Sequence, residues 1–223
     1  MARFDLEKTS LRELNAWLHG QPDAHVAVLN PAGRHNIAVG VDAETDIDIE
    51  GHVGYYCAGM NKNARITVHG SAGPGVAENM MSGEVRISGN ASQYAGASGH
   101  GGLLVIGGDA SGRCGISMKG IDIVVAGNAG HMSAFMAQKG HLVICGDAGD
   151  YLGDSLYEAV IYVRGAMGLL GTDCIEKKMS PAHKETLAAL LKAANLTHPV
   201  EEFRRFGSAR TLYHFDIDNA DTY

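Results

Sequence analysis

Seven times along the chain the same hydrophobic signature returns at a fixed distance. Gly51, Gly70, Gly89, Gly108, Gly127, Gly146 and Gly165 follow one another at intervals of 19 residues, with no insertion or deletion. Four and two positions before each glycine stands an aliphatic pair: Ile47/Ile49, Ile66/Val68, Val85/Ile87, Leu104/Ile106, Ile123/Val125, Leu142/Ile144 and Ile161/Val163. Alternation with period two marks a short strand with one buried face. Two residues after each glycine comes a small or apolar side chain (Val53, Ala72, Ala91, Ala110, Ala129, Ala148, Met167), followed by Gly or Ser. A unit this poor in apolar residues buries no core alone, so copies must stack. The pattern predicts an all-β fold, a right-handed parallel β-helix of about seven coils of 19 residues, roughly 34 Å tall at ~4.8 Å per coil. A left-handed hexapeptide helix would repeat an aliphatic residue every six positions, which this chain does not do.

Both ends break the period. Residues 1–46 read as an N-terminal cap, with a helix over 10–19 that opens on the capping box Ser10/Glu13 and stops at Gly20. The β-helix occupies 47–176. Residues 177–223 hold a helix that begins at Ser180-Pro181, with Leu187, Leu190, Leu191 and Ala194 on one face, and then an extended or briefly helical tail.

Composition agrees with a tightly turning repeat. Of 30 glycines, 26 lie between Gly51 and Gly171, where only one of the five prolines falls. With 25 acidic and 18 basic side chains the net charge is −7, which argues against a nucleic-acid-binding surface. No apolar run approaches the roughly 18 residues of a membrane span, and the charged N-terminus is unlike a signal peptide. These features point to a cytoplasmic protein.

A solenoid aligns equivalent positions in columns, so catalytic groups are expected to stack. The four cysteines show no metal-ligand spacing, and Cys57 and Cys114, in one column, lie three coils or roughly 14 Å apart, too far for a disulfide. They read as reduced core residues. Asp109 and Asp147 sit two coils apart, roughly 9.6 Å, near the spacing of an inverting glycosidase pair. Their column, however, reads His52, Ser71, Asn90, Asp109, Asn128, Asp147, Ala166, the short polar residues that turns use to bond neighbouring backbone. The histidines scatter over different columns, and no P-loop or dinucleotide fingerprint occurs. No catalytic, cofactor-binding or metal-binding residue is therefore assigned.

Partners are better provided for. Tyr55, Tyr56, Tyr94 and Tyr151 lie four or five positions past their glycines, at one corner. The outward strand positions Val105, Val124, Val143 and Tyr162 need a cover, either the helix after Pro181 or another subunit. The tail from Glu201 to Tyr223 mixes Phe203, Arg204, Arg205, Phe206, Arg210, Tyr213 and Phe215, residue types common at interface hot spots. It either caps the last coil or docks on a partner; docking implies that deleting 201–223 leaves the melting temperature nearly unchanged. The expected interface comprises Tyr55, Tyr56, Tyr94, Tyr151, Phe203, Arg204, Arg205, Arg210 and Tyr213.

The repeated corner, as in Gly70-Ser71-Ala72-Gly73 and Gly89-Asn90-Ala91-Ser92, resembles the glycine-rich (GXGXG) β-helix family. That family includes the C-terminal domain of the large chain of glutamate synthase and a β-helix chain of formylmethanofuran dehydrogenase. The stretches Gly51–Met60, Ala77–Gly83 and Cys114–Gly120, with Cys174-Ile175-Glu176-Lys177 and Gly207-Ser208-Ala209-Arg210, look most like the stand-alone β-helix subunit of N-methylglutamate synthases. That resemblance implies a three-part enzyme: a class II glutamine amidotransferase-like subunit, a synthase-like subunit with FMN and an iron–sulfur cluster, and this chain as scaffold. The complex would make N-methyl-L-glutamate from L-glutamate and methylamine, releasing ammonia. This chain has neither a cysteine at position 2 nor a cysteine cluster, so the resemblance transfers no catalytic residue or cofactor to it. A related amidotransferase or glutamate-synthase-type oxidoreductase, and a self-contained carbohydrate-active β-helix enzyme, remain alternatives.

Overall fold

The computed structural model describes residues 1–20 and 22–210. Its strands are β1 (Ala2–Asp5), β2 (His25–Leu29), β3 (Asp46–Glu50), β4 (Arg65–Val68), β5 (Glu84–Ile87), β6 (Leu103–Ile106), β7 (Lys119–Val125), β8 (Lys139–Ile144), β9 (Val160–Val163), β10 (Cys174–Lys177) and β11 (Arg204–Ser208). Helix α1 (Leu11–Leu18) lies between β1 and β2, and α2 (Pro181–Ala193) between β10 and β11. All the strands form one sheet of 11, ordered β1 to β9 and then β11 and β10. Pairing from β1 to β9 is parallel, which makes this a parallel β-helix. Among the described residues, no helix is long and apolar enough to cross a membrane.

The aliphatic pairs are the core. In register, Ile47 faces Ile66, then Val85, Leu104, Ile123, Leu142 and Ile161. All fourteen side chains of the pairs are buried to 1% exposure or less. A second ladder runs through Val53, Ala72, Ala91, Ala110, Ala129, Ala148 and Met167. Small residues are needed there because this ladder shares the same interior with the first.

The parallel ladder starts earlier than the strict repeat. Val26 and Val28 pair with Ile47 and Ile49, an offset of 21, and Ala2 pairs with Val26, an offset of 24. The segment 1–46 therefore contributes two rungs to the sheet as well as the capping helix. That helix has the expected box: Ser10 N–H donates to Glu13 Oε2 at 2.9 Å and Glu13 N–H to Ser10 Oγ at 3.3 Å. Leu14 and Leu18 close the core from below, and Trp17 tilts against Phe4 at 5.0 Å.

Helix α1 also supplies the polar groups that a further coil would have offered. Higher in the stack, Ala58 N–H donates to Ile37 O and Ala77 N–H to Cys57 O, each at 2.9 Å. The equivalent Ala38 has no coil beneath it and donates to Asn15 Oδ1 at 3.0 Å. Asn15 Nδ2 donates to Asn36 O at 2.8 Å, and His19 Nε2 to Val39 O at 2.7 Å. Buried backbone groups are almost always paired, and here side chains complete the set.

At the other end, Leu187, Leu190, Leu191 and Ala194 of and just after α2 cover Val105, Val124, Val143 and Tyr162. The chain's own helix is thus the cover. Arg86, on the same outer face, donates through Nη2 to Ala193 O at the end of α2.

The tail requires a correction. Residues 204–208 are a strand inserted antiparallel between β9 and β10, preceded by a 3-10 turn, Val200–Glu202. Phe206 is fully buried in the solenoid core, and Phe203, 5% exposed, packs in the cluster under α2. Two aromatic rings buried within the chain are unavailable to a partner. Deleting 201–223 should therefore lower the melting temperature by about 10 °C or more. An unchanged melting temperature in thermal unfolding would remove β11 from the core. Independently, Ile123→Asp places an unpaired carboxylate at a fully buried rung and should cost several kcal/mol in denaturant titration, ~4 or more.

Candidate interaction surface

The corner that carries the tyrosines is built from backbone. Position five past the glycine has positive φ in the first six of the seven coils: Tyr56, Gly75, Tyr94, Arg113, Met132 and Tyr151, between 55° and 73°. For a non-glycine residue this conformation is uncommon. It persists because each of these N–H groups donates to the next coil, at Pro74, Gln93, Gly112, His131, Asp150 and Leu169 O, over 2.6 to 3.2 Å. The backbone is thereby fixed, and side-chain identity varies freely from coil to coil.

Tyr55, Tyr56 and Tyr151 are about half exposed, and Tyr94 is partly buried. Tyr56 and Tyr151 are five coils apart, roughly 24 Å. His35 stacks on Tyr55 at 4.4 Å, and Tyr55 meets Tyr56 edge to face at 6.4 Å. The ring of Tyr56 lies over Gly75, where an added Cβ would sit 2.6 Å from Cδ1. Further up, the Arg113 guanidinium stands 5.9 Å over the Tyr94 ring, and Nη1 reaches Tyr94 Oη at 3.4 Å. Leu169, four positions past its glycine, is exposed at the same offset as Tyr55, and Met60 and Met136, nine positions past theirs, are exposed as well. The shared offset from the glycines marks Arg113 and Met132 as members of this column, which a search for aromatics alone passes over.

The remaining expected interface residues lie elsewhere. Arg204 donates to Gly165 O, Arg205 to Lys178 O, and Arg210 pairs with Asp173. None of these partners belongs to the tyrosine corner. Tyr213 lies outside the described residues.

The polar column after the glycines is a hydrogen-bond ladder. The backbone N–H groups of Ser71, Asn90, Asp109, Asn128, Asp147 and Ala166 donate to His52 Nδ1, Ser71 Oγ, Asn90 Oδ1, Asp109 Oδ1, Asn128 Oδ1 and Asp147 Oδ1, respectively, over 2.7 to 3.1 Å. Asp109 and Asp147 are thus turn acceptors, each tied to the coil above. All four cysteines are free and buried. Burial pushes the Cys57 and Cys114 thiols up to about 12 and those of Cys145 and Cys174 up to about 11. Such thiols are neither nucleophiles nor metal-ready thiolates at neutral pH, and they do not fit an iron–sulfur cluster. Among the described residues, no group of three or more His, Cys, Asp or Glu is placed to hold a metal ion.

One charged cluster binds the lowest coils. Asp48, outward on β3, accepts from His25 Nε2 at 2.6 Å and His69 Nε2 at 2.9 Å. Burial opposes ionisation of Asp48, but the hydrogen bonds from His25 and His69 outweigh it and hold the carboxyl below its ordinary value of 3.8. A depressed carboxyl contributes stability that is complete above the unfolded pKa and vanishes as pH falls through the folded one. Asp48→Asn should therefore lower the melting temperature at pH 7 by a few degrees, with the difference from wild type shrinking as the pH falls below the ordinary value of 3.8. Equal differences at both pH values would contradict the linkage.

No family model matches the sequence. In three dimensions the chain is similar to a chain of the formyltransferase/hydrolase complex (FhcABCD) from Methylorubrum extorquens, whose X-ray crystal structure holds methylofuran. The TM-score is 0.67 at 22% identity, over 95% of this chain and 92% of that one, a likeness of fold. In sequence it is similar to protein GlxC of Rhizobium meliloti (strain 1021), 65% identical over 229 residues and covering 100% of both chains. Identity at that level along the whole length places the chain in the protein GlxC family.

Proposed function

We propose that this chain is the non-catalytic β-helix subunit of a glutamate-synthase-like complex that converts L-glutamate and methylamine into N-methyl-L-glutamate and ammonia. Its partners are an amidotransferase-like subunit and a synthase-like subunit that holds FMN and an iron–sulfur cluster. The observation that carries this reading is the tyrosine corner. It is a half-exposed strip of aromatic rings, methionine and one arginine, set on a backbone that the coil-to-coil bonds hold rigid. Aromatic residues, methionine and arginine are enriched at protein interfaces, and a preorganised surface loses little entropy on docking. The likeness to a chain from a multi-subunit complex supports the same assignment. The carbohydrate-active alternative loses its residues, since Asp109 and Asp147 are engaged in the turn ladder.

The test is reconstitution. Methylamine-dependent glutamate turnover should require all three subunits, and this polypeptide alone should show none. Tyr56→Ala combined with Tyr94→Ala should leave the melting temperature of the isolated chain within about 2 °C while weakening assembly at least tenfold, a loss of about 1.4 kcal/mol or more. Turnover by the isolated chain, or full-strength assembly of the double variant, would refute the proposal.

A further inference from the structure

The end of the sheet beyond β9 carries a cavity that neither the tyrosine corner nor the core explains. Its volume is 310 Å³, and it is lined by Tyr157, Glu158, Ala159, Val160, Lys177, Arg205, Gly207 and Ser208. Gly207 forms its notch: a Cβ there would meet only the Lys177 side chain, at 3.4 Å or more.

Two cations stand side by side at this notch. Lys177 and Arg205 are direct partners across the antiparallel β10–β11 pair, and Arg205 is in turn opposite Tyr162 of β9. All three side chains therefore share the outer face. Like charges directly opposite one another destabilise a sheet, so such a pair calls for a counter-charge. Among the described residues none is bonded to either. Arg205 donates to the Lys178 carbonyl at 3.0 Å and faces His183 Nε2 at 3.2 Å. Burial, then the neighbouring Arg205 charge, push the His183 imidazole down, which favours its neutral form. Burial likewise pushes the Arg205 guanidinium down, as expected of a cation without an anion beside it. The third member of the row, Tyr162, keeps a buried hydroxyl with no hydrogen-bond partner. The acidic groups nearby are Glu158 on the cavity wall and Asp122, which is bonded to His141 at 2.7 Å.

We propose that the Gly207 notch, with Lys177 and Arg205, is a carboxylate-binding site. A carboxylate seated there would take the free ammonium of Lys177 and the unused N–H groups of Arg205, whose planar fork suits it. The carboxylate has two conceivable sources: a small organic acid in solution, or this chain's own Asp216, Asp218 and Asp221, which follow β11 in the sequence.

Thermal unfolding of the full chain in sodium succinate, against sodium chloride at equal ionic strength and pH, separates the two. Succinate also raises melting temperatures non-specifically by exclusion from protein surfaces, so the readout is the increment lost in Lys177→Gln, a variant that breaks no ion pair among the described residues. An increment of about 2–4 °C in wild type, absent from Lys177→Gln, assigns the notch to a free carboxylate. No increment in wild type, but one dependent on Lys177 once Asp216, Asp218 and Asp221 are changed to Asn, assigns it to the chain's own side chains. A second variant guards the result: Lys177→Glu supplies the missing counter-charge to Arg205 and should raise the melting temperature in chloride while abolishing the succinate increment. If no background shows a Lys177-dependent increment, the site does not exist.

Discussion

A single coil of this protein could not exist. Its strand is four to seven residues long, its inward side chains are two aliphatics and a handful of small or apolar turn residues, and most of the hydrogen-bonded backbone N–H groups outside the strands point along the stack. The hydrogen bond from one coil to its neighbour is the interaction on which the rest depends. It holds the aliphatic pairs in vertical register and makes positive φ tolerable at tyrosine, arginine and methionine. It also turns a row of Ser, Asn and Asp into a ladder. Local geometry, core packing and surface display are consequences of one repeated bond rather than three separate achievements.

A structure of this kind is most exposed where the repetition stops. The lower end is closed by imitation, with the Asn15 amide and the His19 imidazole taking the places of a missing coil's carbonyl and N–H groups. The upper end is closed by reversal. Strand β11 returns antiparallel and shifts the pairing direction, so the parallel template is not offered onward, in keeping with the general need to blunt sheet edges. Helix α2 then covers the apolar outer positions of the last four coils, while the lower coils show Asp48, Thr67 and Arg86 there and need no cover.

How much of this was legible in the sequence follows from the period. Where the spacing is 19, the strand, core ladder, turn ladder and tyrosine corner can all be read off, because a column is visible without any structure. Val26 and Val28 obey the same packing, yet their offset of 21 hides them from a search for fixed spacing. Arg113 and Met132 share the corner with the tyrosines, but residue types vary within the column. The tail was ambiguous for a chemical reason: Phe203 and Phe206 next to arginines describe a docking segment and a buried strand equally well. Only the pairing with Ile161 and Tyr162 decides for the strand. The cavity at Gly207 was invisible, since it depends on which residues face one another across an antiparallel pair outside the repeat.

The corner residues ride on a lattice with one fixed increment. Any two docking points on this face differ in height by a whole number of coils, about 4.8 Å each. A substitution can change what is displayed on a rung, but it cannot change the distance between rungs. The surface therefore behaves as a graduated ruler, and a partner gripping two marks on it would have its own spacing set by this protein in steps rather than continuously. Adding or losing length is likewise possible only in complete coils, or at the ends, where the offsets of 21 and 24 show that the constraint has already relaxed.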